Sequence, residues 1–370
     1  MNVNQQAETA AQELVIQEIN HVGVVTLNRP KAHNALTHAM VLALTERLSQ
    51  WKDDPAIYGV VIRGAGDRAF CAGGDIRALY QSYRDGSPLY RDFFVDEYRL
   101  DHMLHQYPKP CVAVMDGLVM GGGMGIAQGA ALRVVTSRSQ IAMPETAIGL
   151  FPDVGASYFL AKMPVELGLY LGITGVTLNA ADALFAGLAD TFAESNHLND
   201  LDGLLSAITW TREPLADLRN AIRTGHRADS GRPSLEALMP AIQHHFDPAR
   251  SIGQVIDSLD AERDPRYGEW ASTTAETLRQ RSPLMMCVTR EQLLRGRHAE
   301  LADCFRMELG MVYRAFDDGD VIEGIRALLI DKDKAPRWRA ATVDEVTQPM
   351  VSRFFDSPWS RDGHPLRDLA

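Results

Sequence analysis

"KPCVAVMDGLVMGGGMGIAQGAALRVVTS", residues 109–137, carries the pattern on which the fold turns. PCVAVMDG is a short apolar run that ends at a turn, as a buried strand does. GGGMGIAQGA opens on three glycines and continues as a helix, and ALRVVTS returns as a strand. Residues 111–135 contain Asp116, Arg133 and the glycine corner, so this stretch will not cross a bilayer as one apolar helix. A strand, a glycine corner, a helix and a second strand predict α/β layers.

The same alternation extends toward the N-terminus. ELVIQEI and VGVVTLN read as two strands joined by a turn near Asn20 and His21. Thr37 is a suitable N-cap for a helix reaching Trp51. YGVVIRG is a buried strand, followed by the loop AGDRAFCAGGD and a helix from about Ile76. Residues 88–107 form a second helical stretch, and QIAMP is a short strand. Beyond about Leu160 the signal is helical, and Pro214, Pro233, Pro240, Pro248 and Pro265 are expected to break it into short helices. The expected organisation is a loose tail over 1–11, an α/β core over 12–200, a helical region over 201–350 and a C-terminal tail over 351–370.

Composition narrows the function classes. The 370 residues are 46% apolar and 23% charged, ordinary for a soluble protein with a large core. The formal charge of −11 argues against broad contact with nucleic acid or acidic membranes, though not against a small anionic ligand held by a few cations. Cys71, Cys111, Cys287 and Cys304 have neither zinc-site nor disulfide-framework spacing, so reduced thiols and no metal are expected. The polar start MNVNQQAETAAQ shows no secretory or transit pattern, and a soluble, cytoplasmic protein is expected. His244 and His245 show no ligand or triad partner in the sequence.

Two glycine loops invite a chemical reading: FCAGGD, residues 70–75, and MGGGMG, residues 120–125. Each lies between a strand and a helix, where glycine lets backbone amides approach a ligand with no side chain in front of them. Two such loops offering one N–H each to the same point would form an oxyanion hole. Taken singly, each is also explained by tight packing. GAGDRA, residues 64–69, nearly fits a dinucleotide fingerprint but does not open into a helix. In AMPETAIGLFPDVG, residues 142–155, Glu145 and Asp153 each follow a proline inside an apolar run. They are either helix caps or members of one reactive pocket.

VVTLNRPKAHNAL (24–36), AFCAGGDIR (69–77), KPCVAVMDGLVMGGGMG (109–125), AMPETAIGLFPDVGASYFL (142–160) and EGIRALLIDKDKAPRW (323–338) occur in this order. Together they resemble the crotonase (enoyl-CoA hydratase/isomerase) superfamily and, within it, the family of 3-hydroxyisobutyryl-CoA hydrolases. The resemblance implies a crotonase-like spiral of ββα units followed by a helical C-terminal region. It implies an acyl-CoA substrate and no separate cofactor, since coenzyme A is part of the substrate. The amides of Gly74 and Gly122 would bind the thioester oxygen, with Glu145 and Asp153 as the catalytic acids and Glu97 as a substrate contact. Ala72, Asp75 and Ile76 fall where relatives hold adenine, and Arg29, Lys31 and Ala32 lie in the turn that runs along CoA. Lys332, Lys334 and Arg337 are either phosphate contacts or a solvated charged face. Gly125 stands where hydratases carry a second glutamate, which removes one of the two acids of water addition. The expected reaction is hydrolysis of a short 3-hydroxyacyl-CoA thioester. The alternatives are a hydratase or isomerase of the same superfamily and a non-catalytic acyl-CoA-binding protein. Relatives often form trimers, so a homo-oligomer is one arrangement and a C-terminal region folded back on its own core is the other.

Overall fold

The computed structural model describes residues 12–223 and 230–370; the tail expected over 1–11 lies outside the described residues. Two strands open the chain, β1 (Leu14–Ile19) and β2 (Val22–Leu27), paired antiparallel with Ile19 opposite Val22. The two-residue turn between them places Asn20 and His21 at φ 44° and 68°. Two left-handed residues give the twist that a tight hairpin needs. Thr37 then caps helix α1 (His38–Asp53), its hydroxyl accepting from the Met40 amide at 3.2 Å.

From there the chain repeats one unit. β3 (Gly59–Gly64) is followed by β4 (Ala69–Cys71) and helix α2 (Ile76–Arg84). After helix α3 (Leu89–His105), β5 (Cys111–Met115) leads to β6 (Leu118–Met120) and helix α4 (Gly122–Gln128). β7 (Leu132–Val135) leads to β8 (Gln140–Ala142) and a 3₁₀ turn, Glu145–Ile148. The first strand of each unit joins a six-stranded sheet ordered β1-β2-β3-β5-β7-β9, where β9 is Thr191–Phe192. The second joins a three-stranded sheet ordered β4-β6-β8. Apart from the β1–β2 hairpin, the large sheet pairs in parallel. Its inner strands β2 and β5 are buried along their whole length, as a sheet covered on both faces requires. The ββα expectation is borne out.

The chain divides into two compact units, each drawn from three segments. The first takes the described parts of Met1–Asp75, Arg99–Ile141 and Thr177–Ser234, and holds both sheets. In its core Val22, Val24, Val61, Val112 and Val134 pack under Leu198, Leu201, Leu205, Leu218 and Ile222. The second takes Ile76–Tyr98, Ala142–Val176 and Leu235–Ala370. It contains helices α5 (Ala156–Phe159), α6 (Val165–Thr174), α7 (Pro283–Gly296) and α8 (Leu301–Asp318).

One expectation about the prolines fails. Pro240 does not end its helix but lies inside Ser234–His245. Its ring removes one backbone bond, but Glu236 and Pro240 are both exposed, so the freed carbonyl of residue 236 is on the wet side. Among the described residues, no helix is long and apolar enough to cross a membrane.

Candidate active site

The carboxyls lie in the second unit. α3 brings Glu97 and Tyr98, the 3₁₀ turn brings Glu145, and the loop before α5 brings Asp153. All four side chains are buried. The Tyr98 hydroxyl donates to Asp153 Oδ2 at 2.7 Å. Burial pushes Asp153 up to about 6, against the lowering pull of the Tyr98 bond and of its own amide. Glu145 and Glu97 are pushed up well beyond the usual carboxylate range, first by burial and then by the Asp153 charge. The charge of Asp153 thus raises both glutamates, so their ionisation depends on its own. Glu145 Oε2 and Glu97 Oε1 are buried without a hydrogen-bond partner. Buried polar atoms are seldom left so, and in a reactive site such an atom is available to a substrate.

Asp153 is not the helix cap that its sequence context offers. The N-cap of α5 is Gly155, at φ 88°, and no side chain of the loop caps it. The capping carboxylate comes instead from Glu308 on α8. Glu308 Oε2 accepts from the Gly155 amide at 2.7 Å, and Oε1 accepts from the Ser157 amide at 2.8 Å. The Ser157 hydroxyl also donates to Glu308. Gln292 on α7 donates through Nε2 to Pro152 O at 2.6 Å and to Ser157 Oγ at 3.0 Å. Burial still pushes Glu308 up to about 8, despite the three donors that favour its charge. Between Asp153 and Gly155, Val154 stands at φ 55°. A β-branched residue in the left-handed region is strained by about 1–3 kcal/mol and persists only where its surroundings enforce it.

The family resemblance pointed to Glu97, Glu145 and Asp153, which the structure buries, but not to Tyr98, Gln292 and Glu308. Tyr98 had a signal, since it adjoins Glu97. Glu308 had none, because its partners lie more than 150 residues earlier.

The glycine loops lie in the first unit. Residues 72–75 pair with residues 33–36: Ala72 N donates to His33 O, Leu36 N to Gly73 O and Asp75 N to Leu36 O, at 2.8–3.0 Å. That ladder uses the amides of Ala72 and Asp75 and leaves the Gly74 amide directed away from residue 36. Gly73 has φ 101°, and a Cβ there would stand 3.3 Å from Met120 O and 3.5 Å from Gly122 N. The two loops therefore touch. A Cβ on Gly123 would fall 2.3 Å from Cys71 O, so only glycine permits the approach. Gly121 precedes α4 at φ 48°, and Gly122 is its first residue, where a helix has no acceptor for its amide. Cys71 is buried as a small core residue.

The CoA-turn residues are arranged differently from one another. The Arg29 guanidinium is occupied: it donates to Ala35 O at 2.6 Å and pairs with Asp75 at 2.9 Å and Glu13 at 3.1 Å. It thus fastens the turn to the first glycine loop. Ala32 is half-buried in the 3₁₀ turn Pro30–Ala32, and Lys31 is exposed. Ala72 and Ile76 flank the first glycine loop and are half-buried. In the second unit, Lys332 and Lys334 are exposed. Asp331 and Asp333 of the same loop are bound by Arg326, each at 2.6 Å. Arg337 is exposed and gives its amide to Glu323. His245 does have partners, contrary to the sequence reading. Its ring lies 2.7 Å from Ser258 Oγ and 2.9 Å from Glu262. Ser258 and Glu262 lie one helical turn apart on a later segment, so the sequence around His245 gave no sign of them. Among the described residues, no cluster of metal-binding side chains is present.

The sequence profile described as enoyl-CoA hydratase/isomerase matches residues 22–355. The chain is 37% identical over 348 residues to the mitochondrial 3-hydroxyisobutyryl-CoA hydrolase of Gallus gallus, covering 94% of this chain and 89% of that protein. It is 39% identical over 342 residues to the protein of the same name from Xenopus laevis, covering 92% and 88%. Among solved structures, an enoyl-CoA hydratase from Rhodobacter sphaeroides superposes with a TM-score of 0.84 at 36% identity, covering 94% of this chain and 98% of the other.

Proposed function

This chain belongs to the enoyl-CoA hydratase/isomerase family, and from that premise we infer that it is an acyl-CoA thioester hydrolase that converts 3-hydroxyisobutyryl-CoA and water to 3-hydroxyisobutyrate and free CoA. The curated relatives carrying that activity in their names support the substrate. The observation that carries the chemistry is Asp153. It is a buried acid released from helix capping and tied by Tyr98, and its charge raises Glu145, whose Oε2 is unpartnered. A binding module has no use for such a costly group of carboxyls. Gly125 in place of the second hydratase acid also favours hydrolysis over hydration.

In this reaction the amides of Gly74 and Gly122 take the thioester oxygen and hold the negative charge of the tetrahedral intermediate. Glu145 supplies the electron pair. It either attacks the carbonyl carbon, giving a mixed anhydride that water opens, or takes a proton from the attacking water. The C–S bond breaks and CoA leaves as thiolate, which a proton from the water quenches. Asp153 accepts from the 3-hydroxyl of the acyl group and orients it, with Glu97 beside it. Ala72, Asp75 and Ile76 hold the adenine of CoA, and Arg29, Lys31 and Ala32 lie along the rest of it.

We place the reaction in valine breakdown and the protein in the cytoplasm. The relatives' names place those proteins in mitochondria, and imaging of the tagged full chain decides the compartment. The test of function is thiol release from 3-hydroxyisobutyryl-CoA, with crotonyl-CoA as control. Free CoA from the first substrate is expected, and hydration of the second without thiol release overturns the reading. Label found in the Glu145 carboxyl after a single turnover in labelled water marks direct attack, with water opening the mixed anhydride at the Glu145 carbonyl.

A further inference from the structure

We infer that Glu308, together with Gln292, is a positioning pair for the reaction: it holds residues 152–157 in a turn that keeps Val154 left-handed and leaves the Asp153 carboxyl free for the substrate. The inference rests on Asp153 acting in catalysis, as proposed above.

The cap of α5 comes from a distant residue in place of the local one. Asp is among the preferred N-cap residues, and Asp153 stands just before α5. The local solution would be for Asp153 to cap that helix. The structure uses a remote acid instead, on α8, and it is fully buried. An acid buried so completely is an expensive cap for a four-residue helix, where a local Ser or Asn would serve. What the remote cap accomplishes is to satisfy the Gly155 and Ser157 amides without drawing on Asp153. Gln292 completes the hold from the other side by binding Pro152 O.

Backbone geometry points the same way. Val154 at φ 55° is enforced, because Pro152 before it and Gly155 after it are both bound. The turn is also pressed from outside. A Cβ on Gly296 would fall 1.9 Å from Ser157 O, and one on Gly155 would fall 3.1 Å from the Phe305 ring. α7 and α8 thus meet the turn at van der Waals contact. If the Glu308 bonds are lost, Val154 relaxes toward the common backbone regions, and this rotation swings the residue before it.

The test compares Asp153→Asn, Glu308→Gln, Val154→Gly and the double variant Glu308→Gln/Val154→Gly. Each is assayed for kcat and KM with 3-hydroxyisobutyryl-CoA and for thermal unfolding. Glutamine keeps the shape of Glu308 but offers one oxygen where two amides need acceptors. Displacement of Asp153 is expected to lower kcat about 100-fold, with KM nearly unchanged. Glycine adopts the left-handed conformation without strain, so in the Val154→Gly background the kcat loss from Glu308→Gln should shrink. An equal loss in both backgrounds, or an unchanged kcat in folded Glu308→Gln, overturns the inference. Should Glu308→Gln not fold, Gln292→Met removes the bond to Pro152 O while keeping volume. Its kcat is expected to fall about tenfold, and an unchanged kcat overturns the inference. If Asp153→Asn itself keeps full turnover, the proposed function fails and not this inference alone.

Discussion

The glycine loops and the carboxyl group solve opposite problems with opposite materials. The loops expose backbone amides, so they are built by removing side chains: Gly73, Gly121 and Gly123 each occupy a conformation or a gap that a Cβ would spoil. They contain no charge of their own apart from Asp75, which Arg29 neutralises. The carboxyl group instead crowds Glu97, Glu145, Asp153 and Glu308 into buried positions, where the three glutamates each feel the charge of Asp153. The first arrangement costs chain entropy at each glycine. The second is costly, and its cost is stored as raised pKa values and a strained Val154. In the proposed reaction, binding the carbonyl oxygen needs fixed dipoles, whereas supplying and returning a proton needs groups whose ionisation lies near the working pH.

The strongest challenge to this contrast is Glu145→Gln. It removes the electron pair while leaving the loops intact, and turnover is expected to fall about 1,000-fold with substrate binding retained. Binding by calorimetry and thiol release measure the two separately; equal losses in both would mean that Glu145 only binds.

Next in size is Gly73→Ala, which leaves every carboxyl in place. At φ 101°, with Met120 O and Gly122 N at 3.3 and 3.5 Å from the new Cβ, the loops must shift. The loss of one aligned donor is expected to lower kcat about 100-fold, with the pH profile unmoved. A moved profile would tie the loops to the ionisation of the acids.

Tyr98→Phe sharpens the other side. The Tyr98 bond lowers the Asp153 pKa, so its loss lets burial push that acid higher than about 6. The acid limb of kcat/KM should move to higher pH, with about a tenfold fall in rate at pH 6. An unmoved limb would show that Asp153 is not among the groups that titrate with activity.

The smallest effect is on stability. Asp153 ionises near 3.8 in an ordinary setting and near 6 when folded. Its raised folded-state value gives a contribution that is fully present below pH 3.8 and lost as pH rises through about 6. Asp153→Asn should therefore unfold at a higher temperature than the parent at pH 7.5, by a few degrees, and at the same temperature at pH 3.5. Calorimetry at the two pH values checks the sign.

The parts legible in the sequence are those built from neighbours along the chain. The strand–strand–helix repeats, the Thr37 cap and the glycine corners all rest on hydrophobic period, short side chains and local hydrogen bonds. The candidate site was legible where one short stretch carried its residues, as with Glu145 and Asp153 in 142–155. It was illegible where partners were distant: Glu308 reads in sequence as one more acid on a helix, and His245 as a histidine without company.

By itself, then, the sequence determined which segments become strands and helices, where glycine must stand, and which acids sit beside prolines, because these follow from interactions spanning a few residues. Only the tertiary structure decided that Asp153 is no cap, that Glu308 caps in its place, and that Tyr98 holds the acid it reaches. Those outcomes depend on burial and on contacts across more than 50 residues of chain, where packing sets both the hydrogen-bond partner and the cost of a charge.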